Sequence, residues 1–147
     1  MKKAILVASA VLCFSLAANS MAAAQVAYNE GPVSRVVLVK ILPGHFNAFM
    51  DDLKKNIVPI WEAEKSAGLI QNYDMWLNLT SSGPDDWDFG YSLTYKNMAA
   101  LDGLPDKVFD LRMKQYGSKD SEQKVIDKRV ENARVVGSML TRGITLR

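Results

Sequence analysis

Residues 87–95 alternate strictly between large and small side chains, and this pattern constrains the fold more than any other. The large side chains occupy every second position, at Trp87, Phe89, Tyr91, Leu93 and Tyr95. The positions between them carry Asp88, Gly90, Ser92 and Thr94. Successive side chains of a β-strand point to opposite faces of a sheet. The segment is therefore predicted to be a strand with one bulky apolar face, which another part of the protein must cover.

The residues ahead of this strand predict a first strand and a long helix. The run "VSRVVLVKI" (33–41) is β-branched and apolar, which is typical of a buried strand. From His45 onward, apolar side chains recur at steps of three and four, which predicts an amphipathic helix that ends near Gly68. Pro59 has no backbone N–H and crowds the turn before it, so we expect a kink at residues 56–59.

Four further segments complete the pattern. Residues 69–79 alternate well enough to form a second strand. Short helical pieces are predicted within residues 97–116, where Asn97 can cap the first of them. A further helix is predicted from Ser118 or Ser121 to Gly137, and residues 138–147 have strand character.

The predicted order is β-α-β-β-α-β, which is the split βαβ arrangement of the ferredoxin-like α+β fold. Its helices cover one face of a four-stranded antiparallel sheet and leave the other face bare. That bare face would carry either Trp76 or the whole row from Trp87 to Tyr95. Because a large exposed apolar surface usually marks an interface, we expect a homodimer that packs sheet face against sheet face.

The first residues have the pattern of an export signal. Two lysines precede an apolar run at residues 4–18, and small residues at 22–24 form a cleavage site. The apolar run is shorter than the ~20 residues that span a bilayer. We therefore predict a signal peptide at residues 1–24 and a single domain at residues 25–147. The predicted location is periplasmic or secreted, without membrane contact after cleavage.

Composition narrows the chemistry of this domain. Cys13 is the only cysteine and lies in the predicted signal, so the remaining chain is expected to have no disulfide and no thiol-based metal site. Without Lys2 and Lys3, the 18 Lys and Arg residues fall to 16, equal to the 16 Asp and Glu residues. This balance, together with the lack of a basic stripe with interleaved aromatics, argues against nucleic-acid binding.

The sequence resembles the dimeric α/β-barrel superfamily, which includes antibiotic-biosynthesis-monooxygenase and NIPSNAP-like proteins. The resemblance lies in "VVLVKILPGHFNAF", "AGLIQNYDMW" and "DDWDFGYSLTYKNMAALDGL", and it covers about residues 33–146. It implies a barrel formed from two paired sheets, with a ligand cleft between helices and sheet. Members include cofactor-free monooxygenases, haem-handling proteins and proteins without a known reaction. This chain is most similar to the uncharacterised exported members.

His45 is the only histidine and the candidate catalytic residue. It could act as a general base, because neutral imidazole accepts protons near neutral pH. The alternative is a surface residue on a first helical turn. The resemblance also allows His45 as a haem ligand, but the sequence carries no recognisable haem motif. A single histidine without cysteines disfavours a zinc site, so no cofactor and no metal are predicted.

Trp61, Tyr73 and Tyr91 are the candidate ligand-binding residues, because aromatic side chains often line sites for flat organic molecules. Trp61 follows the predicted kink, where a helix that lifts off the sheet would leave a cleft. We therefore expect an exported homodimer that binds a small, largely apolar organic molecule, with a cofactor-independent monooxygenase-like activity as one option. The alternative is a non-catalytic structural or stress-response protein whose aromatics serve core and dimer packing. Whether the protein is an enzyme stays open.

Overall fold

The computed structural model describes residues 27–80 and 82–147, and the predicted signal peptide at residues 1–24 lies outside this range. Within it, four strands form one antiparallel sheet: β1 (Tyr28–Ile41), β2 (Asn72–Leu77), β3 (Phe89–Tyr95) and β4 (Ala133–Leu146). Their order across the sheet is β2-β3-β1-β4. The protein therefore has the ferredoxin-like α+β fold, as the order of the sequence periodicities predicts.

Helical segments fill the two long connections. Between β1 and β2 the chain passes through α1 (Phe46–Asp52), a π-helix (Leu53–Ile57) and α2 (Val58–Ser66). Between β3 and β4 it forms a 3₁₀-helix (Met98–Leu101), α3 (Leu104–Tyr116) and α4 (Lys119–Val130). The hydroxyl of Ser118 accepts a hydrogen bond from the Ser121 N–H at 3.1 Å and so caps α4. Over the described ranges, no helix has the length and apolar character that crossing a membrane requires.

The first helix breaks where Pro59 predicts. Pro59 is the second residue of α2 and cannot donate to the Lys55 carbonyl, and the turn before it widens into the π-helix. The Gln115 side chain donates to that Lys55 carbonyl at 3.0 Å, and the Tyr116 hydroxyl donates to the Asn56 carbonyl at 3.2 Å. The end of α3 thus supplies hydrogen bonds to the carbonyls at the kink.

The pairing of β1 with β3 settles which sheet face meets the helices. Val37 pairs with Tyr91 and Val39 pairs with Phe89, so these side chains share one side of the sheet. The Phe89 and Phe49 rings are in edge contact, with centroids 5.2 Å apart, which places this side against the helices. Every sheet residue in the main hydrophobic core cluster lies on this side: Val37, Val39, Ile41, Phe89, Leu93, Tyr95 and Ala133.

The opposite side of the sheet, called the open face below, carries Trp76. Of the two residue sets that the sequence allowed for the bare face, the structure therefore has the one with Trp76. The other members of the open face in the strand register are Ser34, Val36, Leu38, Gly90, Ser92, Thr94 and Met139. A Cβ at Gly90 would lie 2.5 Å from Trp76 Cε2 and closer still to Nε1, so the indole lies directly against the Gly90 backbone. The open face contributes nothing to the main core cluster of the described chain, and Met139 is 47% exposed.

Several predicted boundaries are wrong, the largest error being in the last helix. The sequence predicted helix as far as Gly137, but α4 ends at Val130 and β4 begins at Ala133. Ala133 pairs with Ile41 of β1, so long-range strand pairing overrides the helical spacing of the apolar residues. The same pairing extends β1 back to Tyr28, where the sequence predicted a lead-in before residue 33. The other two strands are shorter than predicted.

Candidate functional site

A cleft of about 220 Å³ lies between α2, α3, α4 and β3. Its apolar lining comes from the π-helix and from α2, α3 and α4: Ile57, Ile60, Trp61, Val108 and Ile126. Its polar lining consists of Glu64, Tyr91, Arg112, Tyr116, Glu122 and Arg129. The cleft therefore lies beside the helix kink and between helices and sheet, where the sequence predicted a ligand site.

Two of the three predicted ligand-binding residues line this cleft. The Trp61 ring centroid lies 4.8 Å from that of Tyr91 and 5.3 Å from that of Tyr73. Trp61 is 5% exposed, while Tyr91 is half-buried. Tyr73 is not among the lining residues, and its hydroxyl donates to the Glu62 carboxylate at the surface. Trp61 and Tyr91 thus form an aromatic wall, and Tyr73 contacts that wall from outside the cleft.

Two ion pairs hold the helices around the cleft. Arg112 of α3 pairs with Glu122 of α4, and Arg129 of α4 pairs with Asp52 of α1. Burial alone would lower the pKa of Arg129, but the hydrogen bonds with Asp52 and Tyr116 and the Asp52 charge raise it overall. Both guanidinium groups that line the cleft are therefore already neutralised by a carboxylate of the protein.

Glu64 is the functional candidate that the sequence reasoning missed. Its side chain lines the cleft and the residue is only 5% exposed. No hydrogen bond or ion pair of the described residues involves its carboxyl group, whose oxygens still reach solvent. Burial raises the pKa of Glu64, and the nearby Arg112 charge offsets this only in part. The neutral acid is thus favoured more than in an exposed glutamate.

The sequence did carry a signal for Glu64. Residues Ile57, Ile60 and Trp61 belong to the apolar stripe of the first helix, and Glu64 follows at the next step of three or four. A lone carboxylate in an apolar stripe is unusual, since charged residues are almost never fully buried without a partner. Spacing alone could have identified the position, but only the structure shows that no described cation bonds to it.

The Glu64→Gln variant is expected to be more stable than the natural protein at pH 8. Near pH 4 the difference in stability between the two proteins is expected to be smaller. In the unfolded chain Glu64 ionises at its ordinary pKa, whereas in the folded protein the pKa is raised. Between these two values the folded state binds more protons, so stability falls as pH rises through this window and stays lower above it. Glutamine keeps the shape and removes the titration.

Thermal unfolding of both proteins at several pH values measures this difference. Glu131→Gln is the matched control, because Glu131 is exposed at the end of α4. If Glu64→Gln changed the Tm equally at pH 4 and pH 8, the pKa of Glu64 would not be raised in the folded protein.

His45 lies outside the cleft lining, at the start of α1. Its Nδ1 atom is 2.8 Å from the Asn132 Oδ1 atom, and Asn132 is 7% exposed. This contact joins the start of α1 to the turn before β4. A catalytic role for His45 stays a prediction.

The His45→Ala variant is expected to lose about 0.5–1.5 kcal/mol of stability, the usual contribution of one hydrogen bond. Ligand binding in the cleft is expected to remain within about twofold, because His45 does not line it. Urea unfolding and ligand titration measure the two quantities. Loss of binding with unchanged stability would instead favour a direct role for the imidazole.

In residues 27–80 and 82–147, no three His, Cys, Asp or Glu side chains come close enough together to hold a metal ion. The sequence matches no protein-family model and no curated protein sequence.

Several solved structures are similar to this chain. A dimeric ferredoxin-like protein from an uncultured marine organism is 15% identical, with 81% of this chain and 98% of that one covered and a TM-score of 0.48. A dabb family protein with a ferredoxin-like fold from Mesorhizobium loti is 16% identical, with coverages of 80% and 99% and a TM-score of 0.41. HapK from Hahella chejuensis is 12% identical, with coverages of 74% and 90% and a TM-score of 0.43. These likenesses concern the fold alone.

Proposed function

We propose that the protein is an exported homodimer that binds a small, largely apolar organic molecule in the cleft between its helices and its sheet. The observation that carries this proposal is the cleft itself, with its aromatic wall of Trp61 and Tyr91. Ligand sites in proteins combine mostly apolar and aromatic lining with a few placed polar groups. This cleft has such an aromatic wall but a larger polar share, with six polar side chains, four of them charged, beside five apolar ones.

The size of the cleft limits the ligand. A volume of about 220 Å³ is below the roughly 300–1,000 Å³ of sites for drug-sized molecules. An engineered apolar cavity of ~150 Å³ in another protein holds benzene. The cleft therefore suits a molecule built on one ring.

Trp fluorescence and thermal unfolding with a panel of single-ring compounds test this function. A ligand at 100 times its Kd is expected to add about 2.7 kcal/mol to the free energy of unfolding. The Val108→Phe variant adds bulk to the cleft lining and should abolish binding, whereas Leu79→Phe adds bulk at a side chain that is 90% exposed and should not. Unchanged binding to Val108→Phe, or no response to any compound, would refute the proposal.

The homodimer is supported by the open face. Trp76, Val36, Leu38 and Met139 give it an apolar centre that no part of the main core covers. Hydroxyl side chains lie beside them, and the Ser34 and Thr94 hydroxyl oxygens are 3.0 Å apart. A second copy of the chain would bury this surface by packing sheet against sheet.

Light scattering of the purified protein should report about twice the monomer mass. Met139→Glu places a charge on the open face and is expected to give a monomer, whereas Leu79→Glu should leave the dimer intact because Leu79 lies in the loop after β2. A monomeric natural protein at micromolar concentration would overturn the dimer while leaving the cleft proposal untouched.

A further inference from the structure

The carboxyl group of Glu64 has no bonded partner in the described chain, unlike that of Glu122, the other buried carboxylate. Glu122, which is also buried, is paired with Arg112, and Asn132 has a hydrogen bond with His45. Glu64 is 95% buried and lacks such a partner, yet its side chain lines the cleft. Its oxygens are not sealed from solvent, since no fully buried side-chain oxygen or nitrogen of the described residues lacks a partner. A carboxyl group that is mostly buried, bonded to no protein group and open to a cleft is available to a ligand that enters the cleft.

The charges around Glu64 indicate that this ligand is neutral. The titratable groups that surround or interact with Glu64 come from three elements: Arg112 and Tyr116 on α3, Glu122 and Arg129 on α4, and Tyr91 and Tyr95 on β3. Both arginines are paired with carboxylates, so an anionic ligand finds no free cation there. The two guanidinium groups line the same space and repel a cationic ligand, and burial, which raises the pKa of Glu64, weakens the attraction of its carboxyl group for such a ligand.

The carboxylic acid can donate one hydrogen bond and accept others. A ligand oxygen that accepts from this acid would satisfy Glu64 without adding a charge to the cleft. The aromatic wall of Trp61 and Tyr91 offers a ring on the ligand a surface for stacked or edge contact. The volume of about 220 Å³ leaves space for one ring and a short substituent.

We propose that Glu64 is the hydrogen-bond partner of the ligand, and that the ligand is a neutral single-ring aromatic molecule with one hydroxyl or carbonyl oxygen. This proposal rests on the proposed function of the cleft as a binding site. It assigns Glu64 to ligand recognition, with Trp61 and Tyr91 in contact with the ring.

Calorimetric titration with four probes of matched shape tests the proposal: toluene, benzyl alcohol, benzylamine and benzoate. Benzyl alcohol is expected to bind about tenfold more tightly than toluene, which is roughly what one hydrogen bond contributes. Benzylamine and benzoate are expected to bind more weakly than the alcohol. In Glu64→Met, which has a similar volume and no hydrogen-bond donor, toluene should bind as well as benzyl alcohol.

The pH dependence separates a direct contact from a structural role. Benzaldehyde accepts hydrogen bonds but donates none, so its affinity should fall as pH rises through the raised pKa of Glu64. In Glu64→Gln the amide N–H still donates and cannot titrate, so this variant should retain benzaldehyde binding and lose the pH dependence. A variant that merely perturbed the fold would change the binding of toluene equally.

Three results would overturn the proposal. They are equal binding of toluene and benzyl alcohol, tightest binding by benzylamine or benzoate, and an unchanged preference for the alcohol in Glu64→Met. If toluene binds and only the preference for oxygen is missing, the cleft remains a ligand site and Glu64 has another role. If no single-ring probe binds at all, both the proposed function and this proposal are refuted.

Discussion

Replacing Trp61 with alanine is expected to lower the free energy of unfolding by about 3–5 kcal/mol, as for other buried Trp residues. Trp61 is 5% exposed and contacts the rings of Tyr73 and Tyr91. It also belongs to the main core cluster. The truncation would remove this buried area and leave a cavity where α2 meets the sheet. Urea unfolding followed by circular dichroism measures the loss.

Two companion variants make this result interpretable. Phe46→Ala also truncates an aromatic residue of the first helical connection, but Phe46 is 45% exposed and should cost about 1 kcal/mol or less. Trp61→Phe keeps one ring in place and should fold even if Trp61→Ala does not. A loss below about 1 kcal/mol for Trp61→Ala would mean that this residue does not anchor α2 to the sheet.

Replacing Gly90 with alanine is expected to cost roughly 2–3 kcal/mol, in the upper part of the range for overpacking. The added Cβ would lie 2.5 Å from Trp76 Cε2 and 2.9 Å from Cζ2, too close for either group to stay in place. The Trp76 indole must then swing away from the strand, and the open face would lose its largest flat side chain. Chemical unfolding measures the cost, and near-ultraviolet circular dichroism reports the displaced indole.

Gly137 provides a matched control on the same open face, where it pairs with Leu38 of β1, the residue that also pairs with Gly90. A Cβ at Gly137 would meet Leu38 Cδ1 at 3.5 Å, which is an ordinary contact, so Gly137→Ala should change stability by no more than about 0.5 kcal/mol. Adding Trp76→Ala to Gly90→Ala should recover part of the loss relative to the sum of the single variants, because the clash is then gone. Strict additivity of the two substitutions would show that the indole does not lie against Gly90.

The sequence predicted the features that depend on local chemistry. The alternation in residues 87–95 depends only on neighbouring side chains, and β3 (Phe89–Tyr95) follows it closely. Pro59 acts through its missing N–H within one helical turn, and the helix changes form at that point. The Ser118 cap likewise forms over three residues. Because the order of these local elements matches a known arrangement, the fold class could be inferred from them.

Features that depend on contacts between distant parts of the chain could not be predicted from the sequence. The start of β4 depends on the pairing of Ala133 with Ile41, across 92 positions of sequence. The choice of helix-facing side depends on strand register, which local alternation leaves undecided. The isolation of Glu64 likewise depends on Arg112 bonding to Glu122, a choice between two carboxylates that spacing does not resolve.

The hydrogen bonds from Gln115 and Tyr116 to the carbonyls of Lys55 and Asn56 have a consequence for how a ligand reaches the cleft. They couple α3 to the widened turn of the first helix, so an outward movement of α3 would break both hydrogen bonds. The cleft should therefore keep its shape before a ligand binds. Association rate constants for different ligands should then vary little, and differences in affinity should arise mainly from their dissociation rate constants.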